Sequence, residues 1–534
     1  MAMKPQLPLF TALLLAPLAE LHAADAPMPK PNILFVITDD IGWGDFRCYN
    51  PDGKIPTPAA DKLAATGMRF TDAHTSGAVC APSRYSLLTG NYPWRGRKPE
   101  GVWNFTGGSD VLPGQKTVGA ILHEAGYRTA LYGKTGIGAD CPTKPGKNPK
   151  KPEFDWTQPL LEGPVQWGFD YSYVLLQGHQ GAPYMFFENG RVDGDVSKIV
   201  EVPRVKDDVS KEDLGYKIMN RGGPSLPDWD CRQVGESLLR KTQTFLDAHA
   251  ASNKAEGRER PFYIHLSTAG AHTPYMPPDT IRGTAVKGVS GMTGHTDMVV
   301  EADVVVGKLV ELLERRGLLA DTLIVLTSDN GGLTHEREFK HDAVNGLRGS
   351  KGAVWEGGHR VPLIVRWGDG SASGSKIAPG SVRHQLVAVH DLVASFAELA
   401  GAKADPDQMR DSISLVSVLT GKGGDDQPVR QTLLSQSVHG APAKIGPAAS
   451  PIQKAGAVPD DDMAHSLRDG AWKLVFNTQN EVVALFNLAA DLSEKNNLIN
   501  APEQATRVDR MVKLYAEIRQ SKRSGSSAMN DERK

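Results

Sequence analysis

The 534-residue chain has little cysteine, four in all, which excludes a disulfide scaffold. It also lacks net charge: 60 Lys and Arg stand against 62 Asp and Glu, for a formal charge of −2. That balance gives no electrostatic draw to nucleic acid or to an anionic membrane surface. No apolar run reaches the roughly 18 residues a membrane-spanning helix needs, so the mature chain is expected to have no membrane span. The 55 glycines and 36 prolines follow no period, which excludes a collagen-like chain, and no internal repeat is visible. What remains is ordinary globular composition, 40% hydrophobic and 23% charged, which excludes a wholly disordered chain. The length predicts two domains of unequal size.

The N-terminus reads as an address. Lys4 precedes a mostly apolar stretch at 9–18, and small residues follow at Ala23, Ala24 and Ala26. This three-part pattern predicts a secretory signal peptide over 1–23, with cleavage after Ala23 or Ala26 fitting equally. The expected destination is periplasmic or secreted. A disulfide among Cys48, Cys141 and Cys231 is permitted there, and its pairing is open.

Hydrophobic patterning predicts an α/β fold. Asn32–Thr38 and Thr322–Ser328 are short continuous apolar runs, as expected of strands buried on both faces. Residues 261–266 read as another such strand. The apolar residues of 299–313 recur at helical spacing, with Gly317 as a stop. Leu238, Leu239, Phe245 and Leu246 mark a further amphipathic helix. Strand–helix alternation predicts a largely parallel sheet flanked by helices. Segments 141–159 and 440–462 read as irregular loops. From about Leu415 the pattern changes, with strand candidates at 472–476 and 482–486 and a final helix near 508–518.

Four motifs carry chemistry. Asp39 and Asp40 directly follow one buried strand; Asp329 and Asn330 directly follow another. Ligands of open α/β sheets gather beyond strand carboxyl ends, so both pairs are expected at one edge. Crowded carboxylates need a cation, and an all-oxygen set favours Ca²⁺ or Mg²⁺ over zinc. Each pair alone is also a good turn former. Cys80, Ala81, Pro82, Ser83 and Arg84 form the third motif. Pro82 suits a first helical turn, which puts Cys80 near a helix N-terminus as a reactive thiol, or else as a small buried hydrophobe. Arg84 lies about one turn on, on the same face. The fourth motif is a set of basic residues among Gly and Pro: Lys134, His272 and Lys351. As a set they supply positive charge and a proton donor to a metal-held anion.

These motifs together resemble the type I, formylglycine-dependent sulfatases. The resemblance extends over nearly the whole mature chain: residues 168–171 (Gly-Phe-Asp-Tyr), 356–358 (Glu-Gly-Gly), 467–474 and 485–488. It implies an alkaline-phosphatase-like fold, with a catalytic domain over 29–415 and a smaller antiparallel-sheet subdomain over 416–534. It implies that a separate maturation enzyme converts Cys80 to formylglycine, whose hydrate attacks sulfur and whose second hydroxyl then expels sulfate. Asp39, Asp40, Asp329 and Asn330 would hold Ca²⁺ (Mg²⁺ second), which also touches residue 80. Arg84 would stabilise the diol, Lys134 and Lys351 would bind sulfate oxygens, and Lys351 or His272 would protonate the leaving oxygen.

The family usually has a His two residues after the Gly-Lys lysine; this chain has Gly136, and His179 is a candidate replacement. An exported sulfatase with Tyr184, Phe186 and Phe187 in one loop fits a sulfated carbohydrate, best a 6-O-sulfated galactose or N-acetylhexosamine. His179, His335, Arg348 and His359 are the candidate sugar contacts. The rivals are a phosphoester or phosphonate hydrolase of the same superfamily and a non-catalytic binder of sulfated glycans.

Overall fold

The computed structural model describes residues 29–98, 105, 107–145, 153–205, 220–403, 405–422, 427–439 and 462–520. The expected signal peptide and nearly all of the 440–462 loop lie outside the described residues.

The first elements are β1 (Asn32–Thr38), β2 (Met68–Phe70) and α1 (Cys80–Thr89). Next come β3 (Arg128–Lys134), β4 (Tyr171–Leu175), β5 (Phe187–Glu188) and β6 (Arg191–Val192). Helix α2 (Val234–Glu256) leads to β7 (Phe262–Ser267), and α3 (Gly294–Glu314) leads to β8 (Thr322–Ser328). Strands β9 (Leu363–Trp367) and β10 (Ser381–Arg383) complete a ten-stranded sheet of order β10-β2-β9-β8-β1-β7-β3-β4-β5-β6. Its centre, β8-β1-β7-β3-β4, is parallel throughout; β9 and β5 run antiparallel to their inner neighbours. The sheet is thus mixed and mostly parallel, as the sequence predicts.

Alternate residues of β1 point into two separate cores. Ile33, Phe35 and Ile37 pack with Tyr263, Leu323 and Val325; Leu34 and Val36 pack with Ile264, Leu266, Ile324 and Leu326. Burial on both faces is why these strands are apolar at every position rather than at every second one. Helix α3 starts five residues before the 299 expected from its apolar period. Thr293 and Thr296 exchange side-chain-to-backbone bonds in a capping box, so hydroxyls rather than apolar spacing set its start.

Strands β11 (Thr432–Gln436), β12 (Met463–Asp469), β13 (Trp472–Asn477) and β14 (Val482–Asn487) form a separate antiparallel sheet. Helix α4 (Ala505–Gln520) packs on it, Tyr515 stacking on Phe476 at 4.0 Å. The short helix Val416–Leu419 packs into the same core as the central strands. Lys473 of β13 ties the core of the small sheet to that of the large one: its Nζ lies 3.0 Å from Glu356 and 2.8 Å from Glu494, all three side chains without exposed surface. No helix among the described residues is long and apolar enough to cross a membrane. All four cysteines are unpaired.

Candidate active site

Register brings the site together. Ile37 of β1 lies beside Ser267 of β7 and Thr327 of β8, and Ser267 lies beside Gly133 of β3. The four strands therefore end level. Asp39 and Asp40, Asp329 and Asn330, Lys134, and the loop bearing His272 all issue from one sheet edge, where this fold class places ligands.

The carboxylates are tied by charge. Lys134 Nζ lies 2.7 Å from Asp39 Oδ2, and Lys351 Nζ 2.6 Å from Asp40 Oδ2. Arg84 donates from Nε to Asp329 Oδ2 at 2.9 Å, and its Nη2 reaches the same oxygen at 2.7 Å. Its Nη1 donates to Lys134 O at 3.0 Å and Ser267 Oγ at 2.8 Å. Asn330 Nδ2 donates to Asp40 Oδ1 at 2.9 Å. Two buried oxygens are left without a donor, Asp39 Oδ1 and Asn330 Oδ1. Buried acceptors of this kind cost stability unless satisfied, and an oxygen-only set of three Asp and one Asn fits a hard divalent cation. Burial opposes ionisation of Asp39, but the charges of Lys134 and Arg84 hold its carboxyl below the usual carboxylate range. Asp329 moves the other way, pushed up to about 7 by burial and by the charge of Asp39. A bound cation would remove that conflict.

Cys80 is the first residue of α1, as its motif predicts, and is 5% exposed. A negative charge at residue 80 would favour the protonated forms of Arg84, Lys134 and Lys351, so all three lie within electrostatic reach of it. His272 Nε2 is 3.8 Å from Asp40 Oδ2, while its Nδ1 donates to Thr273 O at 2.9 Å. Burial, with Lys351 next to it, brings the His272 ring down to about 3. His179 is buried and bonded through Nε2 to the His272 carbonyl at 2.8 Å.

Two expected sugar contacts lie elsewhere, a correction to the sequence reading. His359 has no exposed surface; it is bonded to His74, to Val354 O and to Lys473 at the junction of the two cores. Arg348 stacks on Trp355 at 3.6 Å and donates to Glu494 O at 3.2 Å, facing the C-terminal subdomain. Both follow Gly-rich segments, where sequence does not show side-chain direction. His335 is exposed, on the loop after Asn330, its ring 6.3 Å from that of His295. Ser267, which orients Arg84, escaped the sequence reading. It ends β7 as Ser328 ends β8, so the strand-end rule could have found it.

The Sulfatase family model matches residues 31–402. The chain is 28% identical over 512 residues to the N-acetylgalactosamine-6-O-sulfatase of Bacteroides thetaiotaomicron, covering 90% of this chain and 91% of that protein. It is 29% identical over 526 residues to arylsulfatase A of Bos taurus, covering 95% and 92%. A solved sulfatase structure concerned with the metabolism of multiple glycosaminoglycans by Bacteroides thetaiotaomicron superposes with a TM-score of 0.70 at 25% identity. It covers 91% of this chain and 99% of that one.

Proposed function

The chain belongs to the sulfatase family and is a sulfuric ester hydrolase of alkaline-phosphatase-like fold, and we propose that it is an exported enzyme removing 6-O-sulfate from galactose or N-acetylhexosamine units of glycans. The observation that carries this reading is the pairing of Arg84, Lys134 and Lys351 with the buried carboxylates of Asp329, Asp39 and Asp40, beside the donorless oxygens of Asp39 and Asn330.

Asp39, Asp40, Asp329 and Asn330 would hold Ca²⁺, which supplies positive charge to a sulfate oxygen and to residue 80. Formylglycine at position 80 supplies, as its hydrate, two hydroxyls on one carbon, one to attack sulfur and one to drive sulfate out; a plain thiol has only one such group. Lys134 and Lys351 are fixed cations whose partners hold them protonated, suited to binding sulfate oxygens as charge develops. Lys351, held protonated by Asp40 at 2.6 Å, would give a proton to the leaving sugar oxygen, with His272 beside the same carboxylate. Arg84 holds Asp329 and backs residue 80 from one helical turn away. Every residue of α1 is buried, so a maturation enzyme must reach Cys80 before the helix packs. Export rests on the N-terminal pattern, and the sugar on the bacterial N-acetylgalactosamine-6-O-sulfatase relative.

The test is sulfate release from galactose 6-sulfate, N-acetylglucosamine 6-sulfate and N-acetylgalactosamine 6-sulfate, using protein whose residue 80 is verified as formylglycine by peptide mass. Release from at least one of these sugars is expected. Turnover of other sulfate esters but none of these would overturn the substrate class, and phosphate release exceeding sulfate release would overturn the reaction.

A further inference from the structure

Lys351 is held less firmly by its own surroundings than the other two cations of the site. Its side chain is 18% exposed, against 3% for Lys134 and 3% for Arg84. Gly349 and Gly352 flank it, both in the left-handed region with φ of 75° and 92°. Glycines on either side leave the loop no fixed shape of its own, so its placement has to come from outside.

Backbone bonds from three directions place it. Lys351 N–H donates to Gly332 O at 3.1 Å, two residues past Asn330. Gly352 N–H donates to Ala78 O at 2.7 Å, two residues before Cys80. The Gly352 carbonyl in turn accepts from Val438 N–H at 2.9 Å, just beyond β11 of the small subdomain. The same strand end grips the chain leading into Cys80. Ala78 N–H donates to Gln436 O at 2.8 Å, Gln436 N–H to Ser76 O at 3.0 Å, and Ser435 Oγ to Thr75 O at 2.9 Å. Thr75, Ser76, Ala78, Ser435 and Gln436 are all buried. Residues 435–438 thus clamp the Cys80 turn and the Lys351 loop together. Val438 is the outer end of the clamp: it is 43% exposed, so what it gives the site is a backbone N–H.

We propose that the backbone N–H of Val438 is a positioning group for Lys351, so that the small subdomain aims the proton donor of the large one. This rests on the reading of Lys351 as the acid of the alcohol-releasing half-reaction. In that step the bond from sulfur to the leaving oxygen breaks with its pair on oxygen. That oxygen takes a proton from Lys351 Nζ, and the amine regains its proton from water. Asp40 holds the tip of Lys351 at 2.6 Å and the clamp holds its root. With the root released, the same ion pair can be made from a shifted backbone, and Nζ no longer meets the leaving oxygen in line.

The test compares phenyl sulfate, whose leaving group needs the proton, with 4-nitrophenyl sulfate, whose leaving group departs without it, on enzyme with verified formylglycine. Val438→Pro removes the donor. Its kcat/KM is expected to fall about 10–10²-fold more on phenyl sulfate than on 4-nitrophenyl sulfate. Val438→Ala, which keeps the N–H, is expected to keep the wild-type ratio of the two substrates. A merely structural loss would lower both substrates alike. Independently of any variant, residue-resolved hydrogen exchange of the unconverted Cys80 protein should show the Val438 amide protected although the residue is exposed. That measurement decides the matter if Val438→Pro does not fold. Equal losses on the two substrates, no loss, the same change of ratio in Val438→Ala, or free exchange of the Val438 amide would each overturn the proposal. Failure of the acid reading shows separately, as a Lys351→Ala enzyme that loses turnover of both substrates by the same factor.

Discussion

Two guanidinium nitrogens of Arg84 converge on one carboxylate oxygen of Asp329, at 2.9 and 2.7 Å, from residues 245 positions apart. The same guanidinium also reaches Lys134 O and Ser267 Oγ, so one planar group spans three strand ends. A lysine ammonium cannot reproduce that fork. Arg84→Lys should therefore lose about 10²–10³-fold in kcat/KM while staying folded. Sulfate-release kinetics beside circular dichroism would check this; activity within a few-fold of wild type would count against the fork.

Metal removal should act on both activity and stability. Without a cation, Asp39 Oδ1 and Asn330 Oδ1 stay unsatisfied in the interior. Chelation is expected to abolish sulfate release and to lower Tm, with Ca²⁺ restoring both and Mg²⁺ restoring less. Chelated protein with unchanged Tm and turnover would remove the cation from the account.

The junction of the two cores should be sensitive to one charge. Lys473 is fully buried between Glu356 and Glu494. Removing it leaves two buried carboxylates facing each other, a loss of about 3–5 kcal/mol by the usual cost of breaking a buried pair. Lys473→Met should depress Tm sharply, and adding Glu356→Gln should recover part of the loss. Thermal unfolding of the single and double variants reads this directly.

Glu301 of α3 gives a pH signature. Burial alone pushes its carboxyl up to about 8 from an ordinary 4.5. The folded state thus holds a proton that the unfolded state releases, so this contribution is full below pH about 4.5 and is lost as pH rises toward 8. Glu301→Gln should raise Tm more at pH 9 than at pH 6. An equal shift at both values would contradict the buried-proton account.

The central strands were readable because burial on both faces leaves few polar positions, and the acidic pairs were easy to place at the sheet edge because they sit one step past those strands. Thr38 and Ser328 mark the two endings. Cys80 and Arg84 were readable from Pro82 and helical spacing. His359 and Arg348 were not, since both reach their partners through tight turns. A Cβ on Gly358 would lie 1.9 Å from Ala353 O, a closeness no sequence pattern announces. The start of α3 was hidden for a similar reason, being set by two hydroxyls rather than by apolar period.

Asn330 and Asp40 are hydrogen-bonded neighbours drawn from points 290 positions apart. Closing so long a loop is entropically slow and comes after local structure has formed. The Asp40–Asn330 pairing is therefore an end-point of folding: nothing shorter than the span from β1 through β8 contains it. If the proposed cation binds there, its occupancy would serve as a certificate of completed assembly, because a chain cut anywhere inside that span separates Asp40 from Asn330.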